Sequence, residues 1–178
     1  MEQIQYGQIL QENFGPSSLD GFIRRQEVSS CWRKTAGQWR LLPIAYTEDW
    51  NAAQRRSMAE ALLRSLRAGG LAYGAWAADR VVGFALLDKN RFGSAGQYVD
   101  LAEFYVSQPF RGRGIGRVLF RMAGEGAKAL GASRLYISAH SARESIAAYR
   151  ALGCVEAEEI NWPLARKEPC DVQLEYRL

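Results

Sequence analysis

Residues 105–116 read Tyr105-Val106-Ser107-Gln108-Pro109-Phe110-Arg111-Gly112-Arg113-Gly114-Ile115-Gly116, an apolar strand that ends in a glycine-rich loop and leads into an amphipathic helix. Pro109 stops the strand because it has no N–H to give to a ladder. Gly112, Gly114 and Gly116 remove side chains where a bulky anion would need to reach backbone N–H groups. The helix behind them offers unpaired N–H groups and the positive end of its dipole at the same spot. Arg111, Arg113, Arg117 and Arg121 add positive charge. The combination reads as a seat for a phosphate or pyrophosphate; the plainer alternative is a tight strand-to-helix turn with solvated arginines. Two common phosphate loops are excluded. Arg117 stands where the dinucleotide fingerprint needs its last glycine, and no Gly-Lys-Ser/Thr closes a Walker loop.

Downstream, Ile115, Val118, Leu119, Met122, Ala123, Ala127 and Leu130 keep a helical spacing up to Gly131. Gly124 and Gly126 inside that helix cost about 1 kcal/mol each against alanine, which predicts close packing on a neighbouring backbone. Arg134–Ala139 is a strand, and the intervening helix makes it parallel to the strand before the loop, through a right-handed crossover. Ser141-Ala142-Arg143-Glu144 has the form of a capping box. It opens a helix carrying Ile146, Tyr149 and Leu152, closed by Gly153. A strand over Cys154–Ile160 and a loop over Asn161–Pro169 follow. In Asp171–Leu178 the alternation of Val172, Leu174, Tyr176 and Leu178 with Gln173, Glu175 and Arg177 predicts a half-buried antiparallel strand.

Upstream, Gln97–Ser107 is the long strand feeding the loop, and Asp88–Gly96 is polar and glycine-bearing, hence a loop. Leu71–Ala77 and Val81–Leu87 form a hairpin around Ala78-Asp79-Arg80. Thr47, followed by Glu48 and Asp49, is a helix start, with an apolar stripe from Trp50 to Leu66 and a stop at Gly69-Gly70. Residues 11–46 carry less pattern: Pro16-Ser17-Ser18 opens a short helix over Leu19, Phe22 and Ile23. The tryptophans of Cys31–Lys34 and Trp39–Leu42 read as core anchors beside solvated charge, with one free to wall a pocket. Ile4 and Tyr6 give a weak opening strand.

The 178 residues suit one domain, 1–178, with 48% hydrophobic residues and enough chain to bury a core. A net charge of only +4, spread along the chain, gives no case for nucleic acid. Cys31, Cys154 and Cys170 are odd in number with no Cys-x-x-Cys pair, as in a cytoplasmic protein with reduced thiols. Met1–Gln5 lacks the regions of a signal peptide, no apolar run reaches membrane-spanning length, and no cysteine–histidine cluster points to a metal.

The order of elements is mixed α/β: a mostly antiparallel sheet with one central parallel βαβ crossover, flanked by helices. With Arg-x-x-Gly-x-Gly at 111–116 behind Ala102–Val106, it resembles the GNAT N-acetyltransferases. Tyr136-Ile137-Ser138-Ala139, a short helix with Tyr149, and Ala151-Leu152-Gly153-Cys154 look like the family's second signature. The resemblance covers about Leu71–Leu178 and implies an acetyl-CoA-binding core over 71–178, with residues 1–70 on the acceptor side. It implies acetyl-CoA as donor, no metal, and a small-molecule or peptide amine as acceptor; dimers are common in the family. The donor's pyrophosphate would lie on Arg111, Gly112, Arg113, Gly114, Ile115 and Gly116, and its pantetheine arm along Phe104, Tyr105 and Val106. Tyr149 matches the tyrosine that faces the donor sulfur; its other reading is a helix-to-core tyrosine. Ser141 and Ser145 match polar contacts to the donor arm, or else cap and solvated face.

Acyl transfer from a thioester to an amine needs a held donor, a neutral amine, a stabilised oxyanion and a protonated leaving thiolate. A thiol titrates near pH ~8.5 and a tyrosine near ~10, so a phenol can serve the leaving sulfur. For the base, the family often uses a carboxylate on the central strand, where Asp100 and Glu103 lie. Their offset of three puts them on opposite faces unless a bulge intervenes, and Glu103 is the preferred candidate. His140, the single histidine, reads as structural or solvated, and Cys154 as a buried strand residue with no activating base. Direct attack without an acyl-enzyme follows. The carboxylates of residues 11–70 are too few for a strongly acidic pocket, which favours a hydrophobic or weakly basic amine. The rivals are a CoA-binding sensor without turnover and, lacking a Walker lysine, a nucleotide-binding domain.

Overall fold

The computed structural model of the protein describes residues 2–178. Its strands are β1 (Ile4–Ile9), β2 (Gln26–Val28), β3 (Cys31–Thr35), β4 (Gln38–Leu42) and β5 (Tyr46–Glu48), followed by helix α1 (Ala52–Arg67). Then come β6 (Leu71–Ala77), β7 (Arg80–Phe92), β8 (Tyr98–Val106), a 3-10 turn at Gln108–Phe110, and α2 (Ile115–Ala129). The chain closes with β9 (Arg134–Ala139), α3 (Arg143–Ala151), β10 (Val155–Glu156), α4 (Trp162–Lys167) and β11 (Val172–Arg177). One seven-stranded sheet runs β1-β6-β7-β8-β9-β11-β10, and β8–β9 is its parallel pair. Two small two-stranded ribbons, β2–β5 and β3–β4, lie outside it. No helix among the described residues is long and apolar enough to cross a membrane.

The sheet buries a different cluster on each face. Leu119, Ala123 and Ala127 of α2 pack with Ala85, Leu87, Val99 and Leu101 on one face. On the other, Leu62 and Leu63 of α1 pack with Ile9, Leu19, Phe22, Phe84 and Leu86. Alternation along β7 sorts neighbouring residues between the two, as period-two side chains must. β1 joins the sheet at its edge, paired antiparallel with β6.

Several elements differ from the sequence reading, each for a local reason. The expected loop at 88–96 is strand as far as Phe92, because Arg91 and Phe92 pair with Val99 and Tyr98 beyond a bulge. Thr47 and Glu48 belong to β5; α1 starts later, where Asn51 and Gln54 form the reciprocal capping box. The expected capping box at Ser141 does not form: Ala142 is the N-cap of α3, and the Ser141 hydroxyl accepts from Arg33 Nη1 at 2.7 Å. The segment after Pro16 makes hydrogen-bonded turns that bury Leu19 and Phe22, not a helix, and leaves Ile23 42% exposed. The strand after Cys154 is only Val155–Glu156, and the expected loop 161–169 contains α4, capped by the Asn161 side chain. Gly126 and Gly124 make room for the side chains of Tyr73 and Leu178, not for a backbone. Glu175, on the expected outer face of β11, is 1% exposed because Tyr98 Oη donates to it at 2.5 Å and Arg134 Nη1 at 2.7 Å.

Trp32 and Trp39 lie in the β3–β4 ribbon, half-buried against the main core. Trp39 Nε1 donates to Glu156 Oε1 at 2.9 Å, and the Arg150 guanidinium lies over the Trp32 ring. Both therefore pin the ribbon to the last third of the chain.

Candidate active site

The loop after β8 has the conformation an anion seat needs. Gly112 and Gly114 have φ of 75° and 80°, in the left-handed region that side chains disfavour. From Gly112 through Arg117 no backbone N–H finds an acceptor in the described chain; the first helical bond here runs from Val118 N–H to Gly114 O at 3.3 Å. Those N–H groups lead into the N-terminus of α2, where the helix dipole adds its positive end. Gly116 needs no special φ; a side chain there would touch Phe104 and Val106, on the strand that leads into the loop.

Arg111 has a narrower role than its charge suggests. Its N–H bonds to Gln108 O, its Nε donates to Val106 O at 3.0 Å and its Nη1 to Arg25 O at 2.7 Å. It clamps loop, strand and N-terminal segment together. Arg113 lies over the Phe110 ring at 4.9 Å.

β8 and β9 pair only over Tyr98–Asp100 and Arg134–Tyr136. Beyond Asp100 the strands part, and Phe104–Val106 keep their antiparallel partners on β7 with no strand on the other side. The open edge leads directly into the loop. Tyr149 of α3 lies beside it, its ring 6.0 Å from that of Phe104. Its hydroxyl has no hydrogen-bond partner among the described residues, and burial, reinforced by Tyr105, Cys154 and Glu103, raises its pKa well above the usual phenol. It stays protonated.

A bulge decides the geometry of the carboxylates. Glu103 faces Leu86 on β7 while Leu101 faces Leu87, so Ala102 is an extra residue in β8. The alternation resets by one across it. Leu101 and Phe104 then share the α2 face, whereas Asp100, Glu103 and Tyr105 share the other. Both carboxyls are half-buried; Asp100 has no hydrogen bond or ion pair among the described residues, and Glu103 meets only the Tyr105 hydroxyl. Burial pushes Asp100 up to about 7, with Asp88 and Glu103 adding repulsion. Burial likewise raises Glu103 to about 7, against the lowering influence of the Tyr105 hydroxyl, Lys167 and Arg24. A carboxyl that titrates near neutrality is suited to accept a proton.

Sequence reasoning missed the groups that surround this pair. Arg24 is 7% exposed and ion-paired through Nη2 with Glu48 Oε2 at 2.8 Å. Glu48 Oε1 lies 3.3 Å from His140 Nε2, which meets Tyr46 Oη at 2.7 Å. His140 Nδ1 accepts from Ala142 N–H at 3.2 Å, so the neutral ring carries its proton on Nε2. His140 is thus part of a chain of polar groups, not a solvated residue. Only its place before α3 hinted at this, and nothing local marks Arg24 or Glu48. Asp171, which accepts from Ser138 Oγ at 3.0 Å, is also raised by burial.

Ser141 and Ser145 are both engaged by the N-terminal segment. Ser141 is buried under Arg33, and Ser145 Oγ accepts from Gln26 Nε2 at 3.1 Å, so both tie α3 to the N-terminal ribbons. Cys154 is buried and its thiol pushed up to about 12 by burial, which disqualifies it as a nucleophile at neutral pH. All three cysteines are free.

The fold has known counterparts. Nourseothricin acetyltransferase superposes with a TM-score of 0.71 at 15% identity, covering 98% of each chain. A Bacillus anthracis acetyltransferase assigned to streptothricin, solved with acetyl coenzyme A, gives 0.70 at 14% identity over 99% of this chain and 98% of that one. An aminoglycoside 6'-N-acetyltransferase complexed with coenzyme A gives 0.53 at 16% identity, over 68% of this chain and 79% of that one. No match was found among curated protein sequences. The profile of the acetyltransferase (GNAT) family matches residues 36–154, a span that takes in α1, the open edge of β8, the glycine loop and Tyr149. On that match the chain belongs to the GNAT family of acetyltransferases.

Proposed function

We propose that the protein transfers the acetyl group of acetyl-CoA to a primary amine of a small molecule or peptide, by direct attack within a ternary complex. The observation that carries this reading is the run of unbonded N–H groups from Gly112 through Arg117, continuous with a strand edge whose parallel partner has parted. A diphosphate with an extended amide-bearing arm matches both parts. Acetyl-CoA supplies an acetyl group activated as a thioester. The loop N–H groups hold its pyrophosphate, and the Phe104–Val106 edge holds the arm as an added strand. The Tyr149 hydroxyl holds a proton for the leaving sulfur, and Glu103 takes the proton of the incoming ammonium with Asp100 beside it.

The acceptor side is formed by residues 23–50 against the Asp100–Tyr105 face of β8. Carboxylates reach that face from the core strands and the N-terminal segment alike: Glu48, Asp88, Asp100, Glu103 and Asp171 influence one another or the tyrosines among them. Counting carboxylates in residues 11–70 alone had favoured a hydrophobic amine; the assembled face suits a cationic one. Relatives named for nourseothricin, streptothricin and an aminoglycoside support a small-molecule acceptor. The test is release of free thiol from acetyl-CoA across a panel of polyamines, aminoglycosides and lysine derivatives. Amine-dependent release that drops by about 10²-fold or more in Glu103→Gln is expected, in line with a general base. Turnover unchanged by that substitution would refute the assignment of the base, and acetyl-CoA binding with no turnover on any amine would favour a sensor.

A further inference from the structure

Among the described residues Arg24 is the one buried cation next to the reacting face, and its pairing is incomplete. Glu48 engages only Nη2; Nε and Nη1 are buried with no acceptor in the described chain. A buried guanidinium with unmatched donors is costly, and an apolar side chain would fill such a site with less penalty. What the guanidinium faces explains its presence. Its central carbon lies 5.0 Å from the centroid of the Tyr105 ring, on the face of β8 that carries Glu103. The segment bearing it is stapled to the donor loop: Ile23 N–H donates to Ser107 Oγ at 3.0 Å, and Gln108 N–H to Ile23 O at 2.9 Å. Arg111 Nη1 closes the third tie, onto Arg25 O.

We propose that Arg24 is a positioning residue that sets the charge state of Glu103, with Glu48 as the counterweight that limits its influence. The inference rests on the reading of Glu103 as the base. Other groups face Glu103 as well: Asp100 and Tyr105 on β8, Lys167 from α4 and Tyr149 from α3. Of the two cations, Lys167 exerts the larger pull on Glu103 but from an exposed helix end, whereas Arg24 is buried and fixed by its contacts. A fixed charge in a partly desolvated site acts more strongly than a solvated one. Burial lifts Glu103 toward neutrality, and Arg24 opposes that lift, so a useful fraction of the base is ionised near pH 7. Glu48, shared between Arg24 and His140, takes up part of the guanidinium's field.

The sign of the effect separates this role from a structural one. Removing the cation raises the Glu103 pKa, so the acid limb of the kcat/KM profile moves to higher pH. Removing the Glu48 charge leaves Arg24 acting on Glu103 undiminished, so the limb moves to lower pH. The experiment measures that limb in the wild type, Arg24→Met, Arg24→Lys, Glu48→Gln and Glu103→Gln, with acetyl-CoA binding as a check on folding. Arg24→Met is expected to shift the limb upward by about half a pH unit, Arg24→Lys by less, and Glu48→Gln in the opposite direction. If Arg24→Met does not fold, the downward shift in Glu48→Gln carries the test. A limb that vanishes in Glu103→Gln but stays in place in the Arg24 and Glu48 variants overturns this inference alone. A limb that survives in Glu103→Gln overturns the assignment of the base, and this inference with it.

Discussion

Replacing Glu103 by glutamine should stabilise the protein at pH 8 while removing most of its activity. The carboxyl is raised from 4.5 to about 7, chiefly by burial. A group whose folded pKa is raised contributes its stability below the unfolded value, and that contribution is lost as pH climbs through the folded one. For Glu103 the loss falls between about pH 4.5 and pH 7. At about 1.4 kcal/mol per pH unit the full step is worth about 3.5 kcal/mol, and the water that reaches a half-buried carboxyl reduces this to about 2 kcal/mol. Glutamine keeps the shape and is neutral at every pH. For a domain of this size about 2 kcal/mol is a rise of roughly 4–8 °C in Tm. Thermal unfolding at pH 5 and pH 8 is the assay: the gain should be full at pH 8 and about a quarter of that at pH 5, where Glu103 of the folded wild type is still protonated. An equal gain at both pH values, or a loss at pH 8, would refute the claim that ionising this carboxyl costs the fold anything.

Three further outcomes follow from single contacts. Tyr149→Phe should lower kcat by about 10²-fold while leaving acetyl-CoA affinity unchanged, read by thiol release and titration calorimetry; equal loss in both would make the tyrosine a packing residue. Gly114→Ala, at a φ of 80°, should cost about 1–2 kcal/mol and weaken donor binding, measured by urea unfolding and titration. Gly126→Ala would place a methyl 2.9 Å from ring carbons of Tyr73 and should destabilise by about 1–3 kcal/mol, and trimming Tyr73 to leucine in the same chain should recover part of that loss in urea unfolding.

The glycine loop was legible because glycines, a strand-stopping proline and a helix start are local signals, and the structure adds only that Arg111 is a clamp. The parallel crossover was equally legible, since a helix between two apolar runs leaves one handedness. What escaped was set by distant partners. Asn51 outcompeted Thr47 as a cap because Tyr46–Glu48 pair with β2. Glu175 looked solvent-facing until Tyr98 and Arg134, far away in sequence, satisfied it. The Ala102 bulge had no sequence mark, yet it decides whether Asp100 and Glu103 share a face. Arg24, Glu48 and His140 meet only because three separate segments fold onto β8, and no spacing rule joins them.

The central claim is that the loop from Gly112 to Arg117 and the β8 edge hold acetyl-CoA. Calorimetric titration of acetyl-CoA into the protein, alone and with ATP present, tests it most directly. The account predicts saturable binding at one site per chain, little affected by ATP and weakened at least tenfold by Gly114→Ala. Absence of binding, or binding that ATP displaces as well as CoA does and that Gly114→Ala leaves intact, would contradict it.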